Sequence, residues 1–333
     1  MTNLDRPIVS VFIPAYKTAD TLEKAVNSAL TQFESTPEAV EVIIADDCSP
    51  DNTFELAQEL ARRDSRVKAL RLEKNSGAPA ARNYAISHAR GTWIAVLDAD
   101  DWFEPGRLEI LVKNATEANV EMAADNQYFF DKMANKIAFT ALAQKGRKRV
   151  VDLDIFLKNS NATSHFDYGM MKPIFKADFM KKHNIEYYVP DRIGHDFCIL
   201  LCFFAAGGKG VLIDTPYYNY VQPFGSISKK PQQEGRKPYD PTLQRTITQY
   251  FIDLYRGKFS DSQITQLLRR EREADALVCF YELRKALKEK NIPTVFKVLG
   301  KTHFIFWKMM GNRIHKKIST KIFGLPPYIF SDS

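Results

Sequence analysis

The segment Trp93 to Pro105, WIAVLDADDWFEP, decides how this chain is read: an apolar run ends abruptly in Asp98, Asp100 and Asp101, and a turn signal, Pro105, follows. Trp93 to Leu97 has the length and composition of a buried strand. Carboxylates this close repel one another unless solvent or a cation compensates them. A divalent ion gathering carboxylate oxygens is the usual remedy at a strand end, and Mg2+ or Mn2+ suits an oxygen-only set. The same residues also suit a turn and a helix cap, since Asp is common in both and Pro105 can open a following helix.

Toward the N-terminus, strand-like runs at Ile8 to Ile13, Val40 to Ala45 and Val67 to Leu72 alternate with segments of helical spacing. This alternation predicts repeated βαβ units around a mainly parallel sheet, an α/β fold. Leu22, Ala25, Val26, Ala29 and Leu30 form one apolar stripe, and Phe54, Leu56, Leu60 and Ala61 contribute to another. Asp20 with Glu23 reads as a cap for the first helix, and Ser49, Pro50 and Asp51 introduce the second. In such a sheet ligands bind beyond the carboxyl ends of the strands. Those ends are Pro14 to Lys17, Asp46 to Asp51, Glu73 to Gly77 and Asp98 to Pro105, so VIIADDCSPD at Val42 to Asp51 supplies a second acidic cluster in the right place.

Toward the C-terminus, Glu121 to Phe130 and Lys136 to Ala141 read as strands flanking a turn at Asn135. Ile193 to Ala206 reads as a helix, and Val211 to Asp214 and Tyr217 to Val221 as short strands after the interrupting Gly207, Gly208 and Gly210. A catalytic-sized domain is expected over 1–228, with halves 1–105 and 106–228, then a Lys-, Gln- and Pro-rich linker over 229–241. Ile264, Leu267, Leu268, Ala274, Leu277, Val278 and Tyr281 recur at helical spacing, which predicts a helical extension over 242–333.

With 45% hydrophobic and 26% charged residues, the 333-residue chain excludes disorder and a fibrous architecture. Its four cysteines, Cys48, Cys198, Cys202 and Cys279, form no CxxC pair, which argues against structural zinc and a disulfide framework. No signal-peptide pattern opens the sequence and no uncharged apolar run is long enough to span a bilayer, so a cytoplasmic location is expected. The net charge of +7 permits an anionic partner without choosing one.

Four ordered motifs carry a resemblance. VSVFIPAY at Val9 to Tyr16, VIIADDCSPDNT at Val42 to Thr53, NSGAPAARNYAI at Asn75 to Ile86 and LDADDWFEP at Leu97 to Pro105 resemble a family 2 glycosyltransferase of the GT-A fold. The resemblance implies a Rossmann-like sheet and a nucleotide-sugar donor, with UDP-glucose or UDP-galactose as the default. It implies that Pro14, Ala15 and Tyr16 line the base pocket, that Asp47 hydrogen-bonds to the base, and that Asp46 supports the loop. Gly77 and Arg82 would lie near the diphosphate, with a surface helix arginine as the alternative for Arg82; Asn83 would be structural. Asp98 and Asp100 would form the DxD pair, with Asp100 the direct ligand of Mn2+ or Mg2+ and Asp98 near the ribose or a metal-bound water. Asp101 would cap or orient.

The family's base is usually an Asp in an ED pair that opens a later helix, and IGHDF at Ile193 to Phe197 fills that place, making Asp196 the implied base. His195 stands where Glu is common; orienting the acceptor, sharing a proton with Asp196 and capping the helix are all open to it. YYNYVQPFGSIS at Tyr217 to Ser228 is similar to bacterial exopolysaccharide transferases, with Gln222 and Ser226 either touching the donor or belonging to a packed loop. A processive QxxRW sequence is absent. The resemblance therefore implies an inverting, non-processive hexosyltransferase acting on a saccharide acceptor, lipid-linked by family habit, in exopolysaccharide or surface-glycan synthesis.

In the tail, Phe304, Ile305, Phe306, Trp307, Met309 and Met310 lie beside Lys297, Lys301, Lys308, Arg313, Lys316, Lys317 and Lys321. A peripheral membrane helix has this composition. So does a helix packed on its own protein with lysines in solvent, and the extension is equally open to pairing two subunits as a homodimer.

Three rival functions are weaker. A nucleotidyltransferase would need a phosphate-cradling loop after the first strand, which VSVFIPAYKTAD does not offer. A basic nucleic-acid-binding protein would need recognition motifs that are missing, so no nucleic-acid partner is expected. A degenerate scaffold would have lost acids, whereas Asp47, Asp98, Asp100 and Asp196 are all present.

Overall fold

The computed structural model describes residues 6–160, 166–188, 194–222, 242–302, 306, 307 and 311. Strands are β1 (Val9–Ala15), β2 (Val40–Asp46), β3 (Val67–Arg71), β4 (Trp93–Val96), β5 (Trp102–Phe103), β6 (Met122–Asp131), β7 (Lys136–Thr140), β8 (Lys148–Val151), β9 (Ile174–Lys176) and β10 (Gly210–Gln222). Helices of the same region are α1 (Leu22–Leu30), α2 (Thr53–Arg63), α3 (Ala78–Ile86), α4 (Arg107–Ala118), α5 (Leu153–Asn159), α6 (Ala177–Lys182) and α7 (His195–Ala205). The helices α8 (Thr242–Leu254), α9 (Asp261–Lys288) and α10 (Ile292–Leu299) follow. The chain divides into two compact units, Met1–Phe156 with Gly169–Gln233, and Leu157–Tyr168 with Glu234–Ser333.

The strand order is β3-β2-β1-β4-β9-β6-β10-β5, with β7 added beside β6 and β8 beside β10. β1 pairs in parallel with both β2 and β4, so the order in which strands are added turns back between β1 and β4 while their direction is kept. A crevice at the carboxyl ends is expected at such a reversal. Every residue of β2 and β4 is buried, as in a sheet covered on both faces, which explains their nearly unbroken apolar sequence. Helix α1 covers the sheet with Leu22, Ala25, Val26 and Ala29. Each such aliphatic side chain contributes about 1.5–3 kcal/mol when fully buried, less for Ala.

At the opposite strand ends a hydrogen-bond network of buried Ser10 and Glu41 with exposed Arg90 fixes the turn into β4. Glu41 accepts two side-chain bonds from Arg90, and Ser10 Oγ accepts from the Gly91 amide at 2.7 Å. Gly91 is required there, because a Cβ would lie 2.5 Å from the Ser10 nitrogen.

Several local expectations need correction. The first helix begins after Thr21 and has no side-chain cap, so Asp20 and Glu23 do not form the expected box. Asn52, not Ser49, precedes α2; Asp51 instead accepts from the Thr53 hydroxyl at 2.7 Å. The buried face of α2 is Thr53, Ala57 and Leu60, with Phe54 and Leu56 at its margin. The two short strands expected after Gly210 are one strand, β10, whose register against β6 shifts around Pro216. A proline lacks the ladder N–H, so the strand passes it as an irregularity instead of stopping.

In the helical unit, Ser260 and Gln263 form a reciprocal capping box at the start of α9. Phe306 is buried against Ala276, Cys279, Phe280 and Leu283. Leu267 and Ala274 are buried as expected, whereas the side chains of Leu277 and Tyr281, the 229–241 linker and most of the basic tail lie outside the described residues. No helix among the described residues is long and apolar enough to cross a membrane.

Candidate active site

At the end of β1, the Ala15 carbonyl accepts from the Asp47 amide at 2.8 Å, which joins the β1 and β2 termini. Asp47 is buried, and its two carboxylate oxygens accept from the amides of Ser76 at 2.7 Å and Gly77 at 2.8 Å. Gly77 reaches this position with φ 91°, a left-handed conformation that favours glycine, directly before α3. Asp46 accepts from the Ser49 amide, consistent with loop support. Pro14 is half-buried, Ala15 buried and Tyr16 exposed, so the β1 end offers one aromatic face beside Asp47's loop. A carboxylate retains acceptor capacity beyond two amide bonds.

The acidic run after β4 separates into three environments. Asp101 is buried and structural: it accepts from the Tyr218 hydroxyl at 2.7 Å and the Val221 amide at 2.7 Å, tying the loop to β10. Burial, then the neighbouring carboxylates of Asp100 and Asp98, push its carboxyl well above the ordinary range. Asp100 is exposed. Asp98 turns inward, where Arg82 Nη2 donates to its Oδ1 at 2.5 Å and Lys172 Nζ to its Oδ2 at 2.8 Å. The expected Asp98–Asp100 metal pair is therefore not presented as an open pair, because two cations already neutralise Asp98.

Arg82 and Lys172 also hold Asp196, the first-turn acid of α7. Lys172 Nζ is 2.7 Å from Asp196 Oδ2, and Arg82 Nη1 is 3.7 Å from Asp196 Oδ1. Both cationic side chains are only 3% exposed, while both carboxylates are 21% exposed. Burial opposes every one of these charges, but the mutual attraction is stronger. It holds both carboxyls below their ordinary range and Arg82 and Lys172 above theirs. Arg82 is thus an interior residue, not a surface helix arginine. Asn83, one position on, exchanges two bonds with the Tyr187 backbone, both at 2.8 Å, and fixes α3 to that segment.

His195 Nε2 lies 3.5 Å from Asp196 Oδ1, beyond a good hydrogen bond. Burial, then the positive charge of Arg82, lowers its pKa to about 4, which keeps the ring neutral near pH 7. It does not cap α7: Gly194 is the N-cap residue, in a left-handed conformation, without a side-chain cap bond. Gln222 closes β10, whereas Ser226 lies outside the described residues.

Lys172 is not among the residues that the sequence singles out. Its signal there is weak but present: a lone lysine inside MMKPIF, where every other side chain is apolar. Among the described residues there is no group of three or more His, Cys, Asp and Glu able to hold a metal without help. Hard ions such as Mg2+ are nonetheless commonly held by one or two carboxylates plus substrate phosphates, and an exposed Asp100 at a strand end suits that arrangement.

The sheet is mixed, its β1 to β4 parallel and β9 antiparallel to β4. With acids gathered where the strand order turns back, beside an acid from a later helix, it is an α/β domain of the kind that binds ligands beyond its strand ends. The model of glycosyl transferase family 2 matches residues 10–190, more than half of the chain, and the chain belongs to that family. It is 35% identical over 224 residues to the succinoglycan biosynthesis protein ExoO of Rhizobium meliloti, covering 67% of this chain and 63% of that protein. It is 33% identical to ExoU of the same organism, covering 66% and 64% respectively, so the chain spans a little under two thirds of either relative. Among solved structures, that of S. aureus TarS residues 1–349 with UDP-GlcNAc aligns with a TM-score of 0.63 at 19% identity, covering 93% of this chain and 84% of that one. The fold is GT-A-like.

Proposed function

We propose that this chain is an inverting, metal-dependent, non-processive glycosyltransferase that moves a hexose, glucose or galactose, from UDP to a saccharide acceptor hydroxyl in bacterial exopolysaccharide or surface-glycan assembly. The observation that carries the reading is the meeting of Asp98, from the nucleotide-side strand end, with Asp196, from α7, on one lysine ammonium. The family match and the resemblance to succinoglycan proteins support it. Pro14, Ala15 and Tyr16 line the nucleobase pocket, and Asp47, oriented by the Ser76 and Gly77 amides, accepts from the base. Arg82 and Gly77 shape the diphosphate side. Asp196 takes the proton from the acceptor hydroxyl as it attacks the sugar from the face opposite the leaving group.

Asp100 is the side chain that would hold Mn2+ or Mg2+, and Asp98 stands at the same strand end; when bound, the ion takes up negative charge on the departing nucleotide. The test is a panel of sugar nucleotides incubated with Mn2+ and bacterial lipid extract, with nucleotide release as the readout. Release from one donor, stopped by EDTA and restored by Mn2+, is the expected result. No release from any donor would defeat the reading, and release unchanged by EDTA would defeat its metal component.

Peripheral contact with the inner face of the membrane is part of the same reading. In the helical unit Phe296 is 70% and Trp307 55% exposed, with exposed Lys297 and Lys301 nearby in sequence, which suits an anionic bilayer surface. Vesicles rich in anionic lipid should carry the protein to the top of a flotation gradient, and Phe296→Ser should weaken this; flotation with neutral vesicles alone would contradict it.

A further inference from the structure

Lys172 has no part in the chemistry just described, yet it makes the shortest contact to the acceptor-side carboxylate. Arg82 touches both acids too, but unequally: 2.5 Å to Asp98 and 3.7 Å to Asp196. Lys172 is even-handed, at 2.8 Å and 2.7 Å. Of the two cations, only Lys172 therefore makes hydrogen bonds to both acids.

The backbone beneath this lysine is fixed. Pro173 restricts Lys172 to extended conformations. The Lys172 carbonyl accepts from the fully buried Arg107, and the Met170 carbonyl accepts from Gln127 Nε2 at 2.9 Å. Immediately afterwards the chain enters β9, which is hydrogen-bonded to β4 on one side and β6 on the other. A surface lysine swings on a flexible stem; this one, 3% exposed and held at both its carbonyl and its ammonium, does not.

We infer that Lys172 is a positioning residue for the transfer reaction, its ammonium setting the spacing between the donor-side carboxylate Asp98 and the acceptor-side base Asp196. The inference rests on the transferase reading above. Misplacing a reacting group by about 1 Å costs on the order of a hundredfold in rate, so an ammonium that registers two carboxylates from distant chain segments has a direct catalytic consequence.

The experiment uses the full chain with the donor selected by the nucleotide-release panel and compares Lys172→Met, Lys172→Arg, Asp196→Asn and Lys172→Met/Asp196→Asn. Lys172→Met should lower kcat about 30- to 100-fold with donor KM changed less than about threefold, and Lys172→Arg should recover part of the loss. The double variant should fall well short of the product of the two single losses, because the lysine acts in large part through that carboxylate. Thermal unfolding establishes which variants are folded; if Lys172→Met is not, Lys172→Arg carries the same comparison with Asp196→Asn. Losses that multiply in the double variant, or kcat and affinity falling together, would assign Lys172 a purely structural role. A wild-type protein inactive on every donor would instead remove the transferase reading, and this inference with it.

Discussion

Asp196→Asn is expected to lower the transfer rate by about three orders of magnitude while leaving donor affinity within about threefold, since a positioned general base contributes roughly a hundred- to ten-thousandfold. Asn has nearly the same shape and keeps an oxygen for Lys172, but it cannot take the acceptor proton. The lost negative charge leaves Lys172 and Arg82 facing Asp98 alone. That imbalance disfavours the folded cluster, so unfolding midpoints must accompany the kinetics. Initial rates of nucleotide release with acceptor, and calorimetric titration with the donor, separate the two effects. A rate within tenfold of wild type at an unchanged midpoint would exclude Asp196 as the base.

The parts of this site that are legible in the sequence are those built by consecutive βαβ units. Buried parallel strands are continuous apolar runs, and the acids at their ends, Asp46, Asp47, Asp98, Asp100 and Asp101, stand out against them. The division of labour among those acids is not legible in the same way. Whether an Asp is a strut like Asp101, exposed like Asp100 or paired like Asp98 depends on partners such as Tyr218, Arg82 and Lys172, which lie far away in sequence.

The same limit hides β9. It lies between β4 and β6 in the sheet although it follows both in the chain, and only three residues make its ladder. Neither length nor alternation announces such a strand, and Lys172 goes unnoticed with it. β5 has two residues and is defined only by its pairing with β10. Cap residues mislead for a related reason: competing Ser, Thr, Asp and Asn side chains crowd both helix starts, and tertiary contacts decide which position begins the helix.

Arg107 is a fully buried charge, and Arg107→Met is expected to cost about 3–5 kcal/mol of stability at neutral pH, the usual penalty for removing one partner of a buried pair. Its guanidinium reaches Asp125 at 2.6 Å and 3.0 Å and lies over the rings of Phe103 and Tyr218. Asp125 also accepts from the Tyr217 amide, so the pair joins α4, β6 and β10. Burial raises the Asp125 carboxyl above its ordinary range against the pull of Arg107. Without that pull the raise grows. A carboxyl raised on folding favours the folded state at low pH and penalises it as pH rises through the folded-state value, so the deficit of Arg107→Met should widen on going from about pH 5 to about pH 8.

Urea midpoints of wild type and variant across that range measure the effect, and a pH-independent deficit would mean that Asp125 is not the group left stranded. Arg107→Met/Asp125→Leu, which removes both charges, should regain much of the stability, since replacing a whole buried pair with apolar groups is often neutral. It should not regain the transfer rate to the same extent. Arg107 is the group that donates to the Lys172 carbonyl, so the double variant restores the packing of the sheet while leaving the lysine's backbone without that anchor. A double variant as active as it is stable would show that Lys172 is held well enough by Pro173 and β9 alone.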